Sequence, residues 1–190
     1  MSLTEVDWSL IPSPLDDGKS DHLKGMKLPL VRLQATDGPA VVLGELRGLA
    51  VIYIYPMTGR PDRDLPDGWN DIPGARGCTP QSCAFRDHFA ALREWGVKHL
   101  FGISTQTSED QMEAAKRLHL PFPLLSDADR ALGRALTLPG ITVEGQHLHR
   151  RLTMIVRDGV IAKVFYPVFP PDKDAENVID WLRTHAEERA

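Results

Sequence analysis

The chain has 190 residues, of which 42% are hydrophobic and 25% charged, a composition typical of one soluble globular domain. A formal net charge of −4 without any basic stripe argues against a nucleic-acid partner. No apolar run approaches the roughly 20 residues that a membrane-spanning helix needs, so no membrane partner is expected.

The chain begins with an acidic segment, MSLTEVDWSLIPSPLDDGKSD, that lacks the basic start and apolar core of a signal peptide. We therefore expect a loosely ordered N-terminal arm over residues 1–25, a single domain over residues 26–190, and a cytoplasmic location. Thiols in the cytoplasm are kept reduced, which favours reactive cysteines over a structural staple. Two inert buried cysteines are the alternative.

The next segment predicts strands followed by a long loop. Residues 28–46 read as two short strands around Asp37-Gly38, a strong hairpin signal. The run LAVIYIY (49–55) predicts a strand buried on both faces. Residues 56–77 are dense in Pro, Gly and Asp and predict an inserted loop. That loop is a candidate lid, a candidate docking surface for a reductant, or a neutral surface loop.

A helix is predicted to begin at the two cysteines, because Pro80 suits a first turn and Thr79 before it suits the N-cap. The remaining pattern predicts further elements in this order: a strand over 97–104, a helix from a Ser108–Gln111 capping box to Leu118, a strand over 122–127, a short helix over 128–136, a hairpin over 150–167 around Asp158-Gly159, and a helix from Asp174 to Ala186.

This alternation of helices and buried strands predicts an α/β domain. The hairpins make the sheet mixed rather than all parallel. We expect a central mixed sheet of about five strands, flanked by helices and by the N-terminal hairpin.

The two cysteines are predicted to differ in reactivity. Cys78 lies at the start of the predicted helix, with Arg76 two residues before it, and both features favour a thiolate. Cys83 lies further from the positive end of the helix. A thiolate oxidised by a peroxide becomes a sulfenic acid, which condenses with a second thiol. Cys78 is thus the candidate attacker and Cys83 the group that responds.

The segment GCTPQSCAFRD resembles the active-site segment of the peroxiredoxin family, specifically the peroxiredoxin Q or bacterioferritin comigratory protein type. The segments VRLQATDGPAVVLGELRGLAVIYIYP, FGISTQTSEDQMEAAKRLHLPFPLLSDADRALGRAL and RLTMIVRDG are similar to other parts of that family, so the resemblance covers about residues 28–185. It implies a thioredoxin-like fold and thiol-dependent reduction of hydrogen peroxide or organic hydroperoxides. A thioredoxin or glutaredoxin reductant and a monomer or homodimer are also implied.

The resemblance also implies roles for individual residues. Cys78 matches the peroxidatic Cys, Cys83 the resolving Cys, and Arg151 the active-site Arg. A guanidinium beside the sulfur would favour the thiolate and bind the peroxide oxygens. Gln81 stands where relatives often have Glu. No cofactor and no metal is expected.

The chain departs from the family pattern before Cys78. The expected Thr and Pro are replaced by Ala75 and Asp71, and the Pro is expected to remain as Pro56, displaced by the inserted loop. The hydroxyl that should bind peroxide is therefore missing at its usual place. Thr58 is the first candidate to replace it and Thr79 the second.

Two other functions are weighed against a thiol peroxidase. One is a thiol-disulfide oxidoreductase or redox sensor with weak peroxidase activity, because the pocket is altered. The other is a Cu(I)-binding chaperone, because two thiols and a distant His can bind Cu(I). The scattered histidines, among them His88, His147 and His149, are read as structural or surface residues.

Overall fold

The structure is a computed structural model that describes residues 6–185. Its strands are β1 (Arg32–Ala35), β2 (Val41–Val42), β3 (Leu49–Ile54), β4 (Val97–Ser104), β5 (Leu124–Ser126), β6 (Gly140–Val143), β7 (Gln146–His149), β8 (Leu152–Arg157) and β9 (Val160–Phe165). Its α-helices are α1 (Cys78–Asp87), α2 (Phe89–Glu94), α3 (Ser108–Arg117), α4 (Ala131–Ala135) and α5 (Asp174–Thr184).

The main sheet has the strand order β2-β1-β5-β4-β3-β8-β9. Its centre is parallel, with β4 between β3 and β5. On one side β8 and β9 add antiparallel strands, and on the other the hairpin β1–β2 pairs antiparallel to β5. This order confirms the predicted mixed sheet of five strands with an N-terminal hairpin, which here extends the sheet.

The β3 strand contributes to both core layers, as its unbroken apolar run predicts. Ile52 and Ile54 face the layer that contains side chains of β1, β8 and α4. Val51 and Tyr53 face the layer beneath α1, α2, α3 and α5. All four side chains are fully buried, and each contributes on the order of 1.5–3 kcal/mol of burial free energy. The strand therefore holds α1, and with it the cysteines, against the sheet.

A hairpin absent from the sequence prediction follows α4. Strands β6 and β7 pair antiparallel, and Glu144 and Gly145 between them both have positive φ, as a type I′ turn requires. Val143 and Leu148 of this hairpin pack with Trp69 and Ala75 of the inserted loop. The inserted loop is thus packed against the domain through its own small apolar cluster.

Several predicted helix ends need correction. The N-cap of α1 is Gly77 in a left-handed conformation (φ 110°), so Thr79 lies inside the first turn instead of capping it. The N-cap of α3 is Thr107, whose hydroxyl accepts the Asp110 N–H, so the predicted Ser108–Gln111 box is wrong. The α4 helix begins only after Arg130, whose positive φ of 59° excludes it from the helix.

The N-terminal arm lies against the domain instead of hanging loosely. The Trp8 indole donates to the Asp172 carboxylate at 2.8 Å, Leu23 is fully buried in the core, and the Gly25 N–H donates to the Ile161 carbonyl of β9 at 2.8 Å. Residues 1–5 of the predicted arm lie outside the described range, as does the predicted helix end at Ala186. Within residues 6–185 no helix is both long and apolar enough to cross a membrane.

Candidate active site

Cys78 is the first residue of α1 and its side chain is only 3% exposed. The Arg151 Nη2 donates to Cys78 Sγ across 3.2 Å, and Sγ lies 3.6 Å from the Ala75 carbonyl oxygen. The first turn of α1 also directs unpaired backbone N–H groups toward the N-terminal end of this helix, where Cys78 lies. The sulfur therefore lies against a guanidinium and at the positive end of a helix.

Glycine is required at position 77 for two reasons. Its φ of 110° is one that other residues rarely adopt, and a Cβ there would lie 2.5 Å from Pro171 Cγ and 2.9 Å from Trp8 Cη2. The turn before Cys78 is therefore closely packed under the N-terminal arm and the segment preceding α5. This packing sets the direction in which the Cys78 side chain leaves the helix.

Arg151 precedes β8 and is 3% exposed, so it is not a surface charge. Its Nη2 also lies 3.1–3.3 Å from the carbonyl oxygens of Gly74, Ala75 and Arg76. Its Nη1 donates to Gln81 Oε1 in a very short hydrogen bond. Within the described residues no carboxylate pairs directly with this guanidinium. Nη2 is thus shared between the carbonyls of the loop before Cys78 and the sulfur, Nη1 serves Gln81, and Nε is buried without a hydrogen-bond partner within residues 6–185.

Gln81 connects Arg151 to a buried carboxylate that the sequence gave no reason to select. Gln81 is fully buried, and its Nε2 donates to Asp174 Oδ2 at 2.7 Å. The Thr153 hydroxyl donates to the same oxygen, also at 2.7 Å. Burial raises the pKa of Asp174 to about 6, while the hydrogen bonds from Thr153 and Gln81 oppose that rise.

Cys83 lies on the same helix in a different environment. Its side chain is 8% exposed, and burial raises the pKa of its thiol against the opposing effect of Arg86. Both cysteines are free thiols. The structure thus gives the two thiols different surroundings: Cys78 contacts the buried guanidinium of Arg151, whereas Cys83 interacts with the partly exposed Arg86, whose effect burial outweighs.

Neither threonine proposed as a replacement hydroxyl bonds to the sulfur. The Thr58 hydroxyl donates to Gln106 Oε1 at 3.1 Å, and the Thr58 N–H donates to the same oxygen at 2.9 Å. Thr79 is half-buried in the first turn of α1. Within residues 6–185 the hydrogen-bond partners of Cys78 Sγ are Arg151 and the Ala75 carbonyl. The replacement of the missing hydroxyl by Thr58 therefore stays a prediction, with that hydroxyl engaged by Gln106 in this conformation.

A small cavity leads to Arg151 and is mostly apolar. Pro56, the proline expected to survive from the family pattern, is part of its wall. The complete lining is Pro14, Pro56, Pro73, Gly74, Ile141, Arg150, Arg151, Tyr166 and Pro167. The N-terminal arm contributes Pro14 and the inserted loop contributes Pro73 and Gly74. With a volume of about 10 Å³, the cavity has room for little more than a water-sized molecule beside the guanidinium.

Fold and site together define a thioredoxin-like protein with a buried thiol, Cys78, beside a buried guanidinium. The redoxin family model matches residues 23–179. Peroxiredoxin Q, chloroplastic, from Oryza sativa subsp. japonica is 30% identical over 162 residues, covering 85% of this chain and 67% of the relative. The corresponding protein of Sedum lineare is 29% identical, covering 85% and 78%. The chain belongs to the redoxin family, as a peroxiredoxin of the Q type.

Solved structures agree with this fold. The bacterioferritin comigratory protein of Xanthomonas campestris, studied for alkyl peroxide reduction, gives a TM-score of 0.64 at 21% identity, covering 93% of this chain and 99% of that one. The peroxidoxin BcpB of Mycobacterium tuberculosis gives 0.67 at 24% identity, covering 85% and 96%. The predicted thioredoxin-like fold and the predicted peroxiredoxin family are both confirmed.

Proposed function

We propose that this peroxiredoxin reduces hydroperoxides with Cys78 as the peroxidatic thiolate. The observation that carries this assignment is the 3.2 Å contact between Arg151 Nη2 and Cys78 Sγ. Both residues are buried, and Cys78 is the first residue of α1. A buried guanidinium stabilises a thiolate, and its N–H groups can also bind the peroxide oxygen that gains charge.

The proposed reaction has three steps. The Cys78 thiolate attacks one peroxide oxygen, an S–O bond forms, the O–O bond breaks, and the leaving alkoxide or hydroxide takes up a proton. The Cys83 thiol then attacks the Cys78 sulfenic acid, which forms the disulfide and releases water. A dithiol reductant of the thioredoxin or glutaredoxin type returns both residues to thiols. Assembly as a monomer or homodimer stays a prediction. The cytoplasmic location stays one too, since the plant relatives are named as chloroplastic.

Two single substitutions test the roles of the cysteines. Cys78→Ser should abolish peroxide consumption, because the nucleophile is gone. Cys83→Ser should leave the first oxidation intact and let a Cys78 sulfenic acid accumulate, detected by mass spectrometry after trapping with dimedone. Loss of the first oxidation in Cys83→Ser, with Cys78→Ser still oxidised, would reverse the two roles.

A thiol-disulfide oxidoreductase or redox sensor with weak peroxidase activity is the second candidate. It is favoured by one observation: the sulfur faces the Ala75 carbonyl where a hydroxyl is expected, and the Thr58 hydroxyl is engaged by Gln106. Stopped-flow mixing of the reduced protein with peroxide, in the absence of reductant, separates the two functions. Rapid loss of the Cys78 thiol supports the peroxidase, and slow loss with fast exchange against a disulfide supports the alternative.

A Cu(I) site would need a third ligand beside the two thiols. His88, the histidine nearest to them in sequence, directs Nδ1 to the Ala84 carbonyl at 2.9 Å. His149 directs Nε2 to Asp127 at 2.7 Å. Across residues 6–185 no three His, Cys, Asp or Glu side chains are grouped as a metal site would need.

A further inference from the structure

Asp174 is a buried carboxylate connected to the Cys78 sulfur by an unbroken series of contacts. It is the first residue of α5 and only 1% exposed. Its Oδ2 accepts from Gln81 Nε2, Gln81 Oε1 accepts from Arg151 Nη1, and Arg151 Nη2 lies 3.2 Å from the sulfur. Its other oxygen, Oδ1, is buried and has no hydrogen-bond partner within residues 6–185.

The donors in this series fix which way the Gln81 amide points. A guanidinium can only donate, so Gln81 must present its carbonyl oxygen to Arg151 and its NH2 to Asp174. Asp174 Oδ2 must therefore accept from Gln81, and it also accepts from the Thr153 hydroxyl. A proton on Asp174 can reside only on Oδ1, the oxygen without a partner. The carboxylate can thus gain or lose a proton without rearranging its hydrogen bonds.

The charges around the site make the protonation of Asp174 matter to Cys78. Arg151 is the buried cation of this network, and two groups that can become anions flank it: Cys78 directly and Asp174 through Gln81. The segment of Asp174 also carries Asp172, which accepts the Trp8 indole N–H, and Lys173, which pairs with Glu176. The neighbouring strand β3 contributes the phenol of Tyr53, opposite Thr153 in the sheet.

We propose that Asp174 is a positioning residue whose charge controls the Cys78 thiolate through Gln81 and Arg151. When Asp174 is neutral, the positive charge of Arg151 acts on the sulfur alone. When Asp174 is ionised, the two anions share one buried cation, and the thiolate is less stabilised. Ionisation of Cys78 and protonation of Asp174 therefore favour each other, as linkage requires. Because burial raises the pKa of Asp174 to about 6, its charge changes just below neutral pH.

The inference deepens the proposed function, since it takes Cys78 as the nucleophile, and it is tested without peroxide. The Cys83→Ser protein has Cys78 as its only thiol, so its alkylation by iodoacetamide reports the Cys78 thiolate. Its alkylation rate is measured from pH 5 to 10 with Asp174 intact and with Asp174→Asn. The Asn oxygen still accepts from Gln81 and Thr153, so the substitution removes the charge and keeps those two hydrogen bonds.

The ratio of the two alkylation rates should depend on pH in a characteristic way. Near pH 5 the ratio should be close to one, because Asp174 is then mostly protonated and position 174 is uncharged in both proteins. It should then rise to about tenfold near pH 7.5, the effect of one like charge on the order of 10 Å away at an effective dielectric constant near 20. It should return to one when the thiol is fully ionised in both.

The control is Asp172→Asn, which removes a charge two residues away without touching Gln81. Its ratio of alkylation rates should stay near one at every pH. A rise equal to that of Asp174→Asn would show that any negative charge in this segment has the same effect on Cys78. A folded Asp174→Asn protein with a flat ratio overturns the inference. If that variant does not fold, Asp174→Ser removes the same charge and replaces it in the measurement. Normal peroxide oxidation with a flat ratio would leave the proposed function standing, whereas a pH-dependent ratio without peroxide oxidation would remove only that function.

Discussion

The Arg151 guanidinium divides its donors between the loop before Cys78, the Gln81 amide and the sulfur. Arg151→Ala should slow oxidation of Cys78 by peroxide roughly a hundredfold, the loss typical of one oxyanion donor. Arg151→Lys should recover only part of this rate, because a single ammonium cannot reproduce the planar fork that reaches both Gln81 and Cys78. Stopped-flow single-turnover oxidation of the two variants measures both rates.

Arg32→Lys is the matched control, since Arg32 is exposed on β1, and its rate should equal that of the unchanged protein. An unaltered oxidation rate in a folded Arg151→Ala protein would show that the guanidinium serves the structure of the loop and not the reaction.

Single residues could be selected from the sequence only where a local pattern or a family motif marks them. Cys78, Cys83 and Arg151 carry such marks, and the structure brings Cys78 and Arg151 into contact. Asp174 carries none, because 93 positions separate it from Gln81 and a carboxylate at a helix start normally signals only capping. The engagement of Thr58 by Gln106 likewise depends on tertiary contacts that no local pattern encodes.

The α1 helix as a whole prevents the two thiols from meeting. Residues five apart on an α-helix have Cα atoms roughly 8.7 Å apart, from a rise of about 1.5 Å per residue and a radius of about 2.3 Å. A disulfide needs about 4.4–6.8 Å. Formation of the Cys78–Cys83 bond therefore requires local unwinding, which breaks the hydrogen bond between Ser82 and Tyr53. Phe85 stacks on Tyr53 at 4.5 Å and should keep the later turns in place.

Hydrogen exchange of the reduced and oxidised proteins tests this expectation. Amide protection from Ser82 to Arg86 should fall sharply on oxidation, because those N–H groups lose their helical acceptors, while protection of β3 and β4 should barely change. The Cys83→Ser protein treated with peroxide is the control, since it is oxidised but cannot form the bond, and its helix should stay protected. Equal protection in both states, with the disulfide confirmed by mass spectrometry, would contradict the requirement for unwinding.

Strands and turns with a strong hydrophobic periodicity or a common turn sequence are predictable from the sequence, whereas an element that has neither signal is not. The buried run of β3 and the Asp158-Gly159 turn between β8 and β9 were both predicted correctly. The β6–β7 hairpin was missed because its turn, Glu144-Gly145, is not one of the common hairpin pairs and its second strand, QHLH, is polar. His149 of this strand is buried with its Nε2 2.7 Å from Asp127 Oδ2, a tertiary contact that the local pattern does not reveal.

At the scale of the whole molecule, the order of strands and helices determined the fold class correctly. It could not determine where the two irregular segments would pack. The N-terminal arm and the inserted loop both contribute to the cavity beside Arg151, where Pro14 and Pro73 form part of the wall. Their contacts join residues far apart in the chain, and their sequences lack the periodicity from which such contacts could be read.

The pH dependence of global stability gives the last prediction, because Asp174 acts opposite to the exposed carboxylates. Asp17, hydrogen-bonded by Tyr166, has its pKa lowered to about 2 and stabilises the fold above the pKa of its unfolded state. Asp174 has its pKa raised from 3.8 to about 6, so the folded state binds its proton more tightly than the unfolded state does. Its contribution to stability is therefore full below pH 3.8 and is lost as the pH rises through about 6.

The size of this loss follows from linkage. Between pH 4.5 and 7.5 ionisation of Asp174 should lower the free energy of unfolding by about 2 kcal/mol, and Asp174→Asn should lack this component. Denaturant titrations of both proteins across this range measure it as a difference, in which the other carboxylates cancel. The free energy of unfolding of Asp174→Asn, relative to the unchanged protein, should rise by about 2 kcal/mol from the lower to the higher pH. Asp172→Asn should show no such rise, and parallel curves for Asp174→Asn would mean that the carboxylate is ionised in the fold at no cost.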